Sequence, residues 1–154
     1  MKPVSAKLTT LVHATEDTGK VSRALDQVCP AHMFDQKTEE RKFKGHYGNE
    51  IITLTLSLRK RSVEPFLLHL MRLFSRAERA SLIQGLDDRI DNDGHLYLRL
   101  EKQECLLNRF RLVDQDPIKC EFTFGIDKDN SLTPRSQVKQ YLNSKTEPAE
   151  QTTA

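Results

Sequence analysis

Tryptophan is absent from this chain, and aromatic residues together make up only 6% of it. Each exposed ring therefore has to be weighed singly, because large rings ordinarily serve a core or an interface. Long apolar runs are missing too; the longest span a few residues, far short of the roughly 20 that a membrane helix needs. Met1-Lys2-Pro3-Val4-Ser5 lacks the continuous apolar stretch of a signal peptide. The three cysteines, Cys29, Cys105 and Cys120, are odd in number and widely scattered. That excludes a disulfide framework and suits reduced thiols in the cytoplasm. Neither sign of charge dominates, and the formal net charge is +2. A histone-like polycation is excluded, whereas local basic clusters remain free to bind nucleic acid. There is no glycine-rich phosphate cradle, nucleophile elbow or paired-histidine motif, so catalysis is not the expected activity and no cofactor is implied.

The chain has 154 residues, of which 37% are hydrophobic and 30% charged. That length and balance suit one ordinary core. Lys7 to Ala14 has strand propensity, and Thr15 is a plausible N-cap with Glu16 and Asp17 at the positive end of the helix dipole. Val21, Ala24, Leu25 and Val28 recur at helical spacing before Pro30. Glu39 to Lys44 and Glu50 to Leu58 form a hairpin, and in the second strand Ile52, Leu54, Leu56 and Leu58 alternate with polar residues. Ser62 is placed to cap a helix through Phe74, and Ser75 with Glu78 forms a capping-box pattern for a helix carrying Leu82, Ile83, Leu86 and Ile90. His95 to Glu101, Arg109 to Val113 and Ile118 to Ile126 complete the strands, with a helical turn over Lys102 to Leu107. Cys120 alternates with Ile118, Phe122 and Phe124, as a core residue does. These elements predict an α+β fold, a mostly antiparallel sheet with helices packed on one face, in a single domain over residues 1–126. Residues 127–154 are expected to be a weakly ordered polar tail, with at most a transient helix over Pro134 to Leu142, whose removal from Leu132 onward leaves stability essentially unchanged. The alternative is that Val138, Tyr141 and Leu142 dock on the domain as one face of a terminal helix.

The hairpin carries the first chemistry. Arg41, Lys42, Lys44 and His46 supply positive or titratable donors, Tyr47 offers a stacking face, and Asn49 both donates and accepts. Cations around an exposed ring suit unpaired RNA. The bland counterpart is a turn whose glycines permit positive φ while Tyr47 packs on the sheet edge. Arg59-Lys60-Arg61 is the densest basic run and is suited to phosphate contact, or to blunting a sheet edge. Arg72, Arg76 and Arg79 continue a basic stripe. Arg99, Lys102, Arg109 and Arg111 form a further group on outward strand positions and their connection, and Arg99, Arg109 and Arg111 share a concave basic surface if the polar face of the sheet is open to solvent. His13 stands at a strand end, either bonded to backbone or helping a helix N-terminus hold an anion. Metal ligation is not expected. Cys29 and His32 have no second half-site, and a calcium loop aligned on Gly94 puts Arg89 and Leu100 at ligand positions.

Three segments carry a resemblance: Val12-His13-Ala14-Thr15-Glu16-Asp17, Gly45-His46-Tyr47-Gly48-Asn49 and Leu98-Arg99-Leu100-Glu101-Lys102-Gln103. In order and spacing, from about Leu8 to Ile126, the chain resembles an archaeal family described as predicted RNA-binding proteins and exosome subunits. The family's fold is similar to that of the ribosomal protein that holds five-S rRNA. The resemblance implies RNA as partner and a role in RNA processing or degradation, with exosome proteins as further partners. Two other functions compete. A protein-interaction adaptor would dock an acidic partner on the basic patches. A small hydrolase would need His13 and His46 within reach of one bound group. Crosslinks to RNA are expected to concentrate between Arg41 and Arg61.

Overall fold

The computed structural model describes residues 1–146; residues 147–154, the last part of the expected tail, lie outside the described residues. Period-two alternation produces five strands: β1 (Pro3–Val12), β2 (Lys37–Lys44), β3 (Glu50–Arg59), β4 (Leu96–Glu101) and β5 (Pro117–Phe124). They form one sheet in the order β2-β3-β1-β5-β4, every neighbour antiparallel. One parity points into the core, with Leu8, Leu58, Leu98, Leu100, Ile118, Cys120 and Phe122 almost or wholly inaccessible. The opposite parity, Lys7, Thr9, Thr53, Thr55, Ser57, Arg99, Lys119 and Glu121, is half-buried or exposed throughout. The fold is thus α+β with one bare sheet face.

Helices cover the inner face: α1 (Thr18–Val28), α2 (Val63–Leu73), α3 (Arg76–Gln84), α4 (Leu86–Arg89), α5 (Lys102–Leu106) and α6 (Pro134–Thr146). Val63, Phe66, Leu67 and Leu70 of α2 are fully buried against the sheet, and the Phe66 ring stacks 5.7 Å from Phe122. Each such side chain contributes about 1.5–3 kcal/mol through burial. Cys29, Cys105 and Cys120 are all buried; loss of hydration pushes the first two thiols up to about 12 and the third well above its usual value. They behave as small apolar side chains.

Several local expectations need correcting. β1 begins at Pro3, because its first residues pair with β3 and β5, and ends before His13. Asp17, not Thr15, caps α1, its carboxylate accepting from Gly19 N at 2.8 Å. Ser62 closes a single 3-10 turn, Lys60–Ser62, and makes no side-chain cap. Ser75 does cap α3, accepting from Glu78 N at 3.1 Å, but Gly85 divides the expected long helix into α3 and α4. Arg109 to Val113 is no strand; it meets the β4 edge through one bridge, Leu100 to Leu112.

The largest departure is the expected tail. Its residues 134–146 form α6, where Val138 and Leu142 are buried and Tyr141 is 8% exposed. Tyr141 OH donates to Glu64 Oε2 at 2.7 Å, and Arg135 donates twice to Ile90 O. Gln137, itself buried, bonds Asp127 through N and O and also Leu132 O, pinning the connecting loop. Three apolar anchors at helical spacing suffice to offset the ordering cost in an otherwise polar segment.

Candidate nucleic-acid interface

Antiparallel pairing sorts the chemistry to two ends of the sheet. At one end lie the C-termini of β1, β2 and β4 and the N-termini of β3 and β5. Their junctions carry the Gly45–Asn49 turn, His13 to Asp17, and Asp116. At the other end lie Lys37, Arg59 and the start of β4. The hairpin tip and the Arg59 run are therefore separated by the whole extended length of β3, ten residues.

The hairpin turn closes through Gly45 N to Asn49 O at 2.6 Å and Gly48 N to Gly45 O at 3.0 Å. Gly48 has φ +81°. A side chain there would strain the backbone by about 1–2 kcal/mol. The turn lifts Tyr47 clear of the protein, 92% exposed, and its sole ring contact among the described residues is an edge-on approach of His46 at 5.0 Å. The alternative in which Tyr47 packs on the sheet edge is therefore not what this geometry shows. All eight residues of β2 are exposed. By register Arg41 lies on the bare face, opposite Thr53, while Lys42 and Lys44 lie on the other side.

Arg59, Lys60 and Arg61 are exposed where β3 passes into α2. Lys60 sits at φ +58°, in the left-handed region. That conformation costs a non-glycine residue about 1–2 kcal/mol. Beside it is a cleft of about 550 Å³ lined by Asp35, Gln36, Lys37, Ser57, Arg59 and Lys60. Of the stripe formed by Arg72, Arg76 and Arg79, the last is committed to structure. Its guanidinium donates to Phe74 O at 3.0 Å and Met71 O at 3.4 Å, closing the end of α2.

The group Arg99, Lys102, Arg109 and Arg111 does not form one surface. Arg99 lies on the bare face beside Lys119, and Arg111 is exposed alongside the β4 edge. Arg109 is paired with Glu104 at 3.4 Å. Lys102 must be withdrawn as a contact, since it is 3% exposed and its ammonium is fully engaged. Nζ donates to Leu11 O at 2.7 Å, to both Glu16 oxygens at 3.1 and 3.2 Å, and to both Asp116 oxygens at 3.2 Å. An amphipathic stem on the first helical residue after a strand folds inward here, a choice sequence spacing does not reveal.

His13 joins the same cluster, with backbone N donating to Glu16 Oε1 at 3.0 Å and ring Nε2 lying 3.1 Å from Asp116 Oδ1. Its ring partner is thus a carboxylate, not the backbone. Burial pushes Asp116 upward, but hydrogen bonds and charges from His13 and Lys102 outweigh it and hold the carboxyl below its ordinary value. The acidic groups around the start of α1 make it a poor anion site. His13, Glu16 and Asp116 are close enough to share a cation, yet the Lys102 ammonium already stands among their oxygens. Asp91, Asp93 and His95 are similarly close. Asp91 is engaged there by the backbone N–H groups of Asp93 and His95, the His95 ring and the Tyr97 hydroxyl.

Four bare-face residues escaped the sequence reading: Phe43, Lys7, Lys119 and Tyr97. Phe43 is 47% exposed and pairs with Ile51 in register, outside the core cluster. Lys119 Nζ sits 5.1 Å above the Tyr97 ring. Outward parity was visible in each strand, but the strand order that collects these residues was not.

Comparison with known proteins gives the family of the chain. A family model described as RNA binding matches residues 5–124. The RNA-binding protein PAB1135 of Pyrococcus abyssi is 28% identical over 115 residues, covering 73% of this chain and 75% of that protein. The uncharacterized protein MJ0213 of Methanocaldococcus jannaschii is 29% identical over 138 residues, 86% of this chain and 89% of that one. Among solved structures, protein AF2318 of Archaeoglobus fulgidus, a DUF54 protein, superimposes with a TM-score of 0.77 at 27% identity. The match covers 94% of this chain and 99% of the other. Protein SSO0741 of Sulfolobus solfataricus gives 0.72 at 27% identity, covering 91% and 98%. With a family model spanning most of its length, from the first strand of the sheet to the last, the chain belongs to the RNA-binding family.

Proposed function

We propose that this protein is a non-catalytic RNA-binding protein, accessory to RNA processing or degradation, with the exosome as the associated machinery. The observation that carries the proposal is Tyr47, 92% exposed on a glycine-built turn at the end of a fully exposed cationic strand. A ring held in water has no structural use there, whereas a nucleobase would cover it at about 1–3 kcal/mol per stack. Arg41, Lys42 and Lys44 lead along β2 to its turn, which His46 and Asn49 share, Arg59, Lys60 and Arg61 stand at the far end of β3, and Arg99 and Arg111 lie towards the opposite sheet edge. Family membership and the relative named as an RNA-binding protein support the partner class. Binding to mixed-structure RNA, measured at several salt concentrations, tests this. Affinity should fall steeply with salt as phosphate contacts release counterions; a flat response, or no binding at low salt, overturns it.

One observation favours a protein partner as the second reading. β2 is an edge strand with every residue exposed, a site where an extended acidic segment could add to the sheet. Pull-down from nuclease-treated extract separates the two, since only a protein partner survives loss of RNA.

A further inference from the structure

The hairpin tip and the Arg59 run stand at opposite ends of β3, so one ligand touching both must cross what lies between. That strip is the bare face of the β2–β3 ribbon. Register places Phe43, Arg41, Glu39 and Lys37 on it from β2, opposite Ile51, Thr53, Thr55 and Ser57 of β3. It is not a generic solvated surface. Phe43 and Ile51 make an apolar step next to the turn, followed by a ladder of three hydroxyls. The strip then opens into the cleft of about 550 Å³, where Lys37, Arg59 and Lys60 converge. Gln36 lines that cleft, and its side-chain oxygen is enclosed with no hydrogen-bond partner among the described residues. A turn of that amide into the cleft, onto a donor from a ligand, would satisfy it.

We infer, building on the RNA-binding proposal, that this strip is a track for unpaired RNA, whose bases stack on Phe43 and Tyr47 and whose backbone runs toward the Lys37, Arg59 and Lys60 cleft. The chemistry separates single strands from duplex. An RNA helix presents sugars and phosphates outward, which would leave Phe43 and Ile51 dehydrated against nothing complementary. An unpaired strand offers ring faces to Phe43 and Tyr47, and base amines and ribose hydroxyls to the hydroxyl ladder, Glu39 and Gln36. Four cations, Arg41, Lys37, Arg59 and Lys60, face two carboxylates, Glu39 and Asp35, so the strip is positive overall.

Fluorescence anisotropy of the full chain with a labelled single-stranded oligonucleotide, and with the same oligonucleotide annealed to its complement, tests the inference. The single strand should bind at least about tenfold more tightly. Phe43→Ala should weaken single-strand binding about 5- to 150-fold, the equivalent of one stacked base, and leave duplex binding unchanged. Phe43→Tyr should restore it. Phe43 lies outside the core, so melting temperature should not move, and Gln36→Leu gives a second variant whose loss of affinity reads the far end. Preference for duplex, or full single-strand affinity in Phe43→Ala, overturns the track while leaving RNA binding in place. Absence of binding to either RNA overturns both.

Discussion

Lys102 Nζ lies 3.1 Å from Glu16 Oε1, joining the start of α5 to the loop before α1 across 86 residues of sequence. With Leu11 O and Asp116 it forms a closed polar cluster at the end of the sheet that carries the hairpin turn. Two of the three segments that mark the family resemblance therefore meet in a contact that supports the fold.

Lys102→Met should destabilise the protein by about 2–4 kcal/mol, slightly below the cost of breaking a fully buried pair, because Asp116 is half exposed. Glu16 and Asp116 are left facing each other without their cation. Chemical denaturation measures this, and an unchanged midpoint would show the cluster to be dispensable. RNA affinity per folded molecule should be unchanged.

Asp116 is held below its ordinary carboxylate value. Its contribution is therefore complete above about pH 4 and is lost as pH falls through the lowered folded value. Asp116→Asn removes that contribution. Asparagine also tolerates the left-handed backbone found here at φ +44°, so the backbone is not strained anew. The variant should melt lower than the parent at about pH 6, and the gap should close as both are taken down towards about pH 3. A gap independent of pH would point to a lost neutral contact instead.

Removal of Leu132 to Ala154 should lower the melting temperature by about 10 °C or more, since Val138, Tyr141 and Leu142 leave the core together. Leu142→Ala in the full chain should cost about 2–5 kcal/mol, or about 4–20 °C. Thermal unfolding followed by circular dichroism reads both. A truncated chain as stable as the parent would restore the view of this region as a tail.

Arg59→Gln should weaken RNA binding similarly across sequences and reduce the slope of log affinity against log salt by about 0.7, as expected for one phosphate contact on a single strand. Tyr47→Ala should weaken binding about 5- to 150-fold with the slope unchanged, because stacking releases no counterion. Salt titrations of the two variants distinguish charge from ring, and a changed slope in Tyr47→Ala would contradict the stacking role.

The α+β class, the hairpin, the alternating strands and the Ser75 cap were legible from local pattern, because period, turn glycines and capping geometry act over a few residues. The turn bracketed by Gly45 and Gly48 was legible too, but not whether Tyr47 stands in water or packs on the sheet edge; the structure leaves it 92% exposed. What only the tertiary structure decided depends on partners distant in sequence. Lys102 turns inward because Glu16 and Asp116 meet it there, and α6 orders because Val138, Tyr141 and Leu142 find the sheet and α2. Phe43 joins the bare face because antiparallel register sets it opposite Ile51. A single strand states which residues share a side; only the order β2-β3-β1-β5-β4 states which strands lie next to each other, and that order is set by burial summed over the whole molecule.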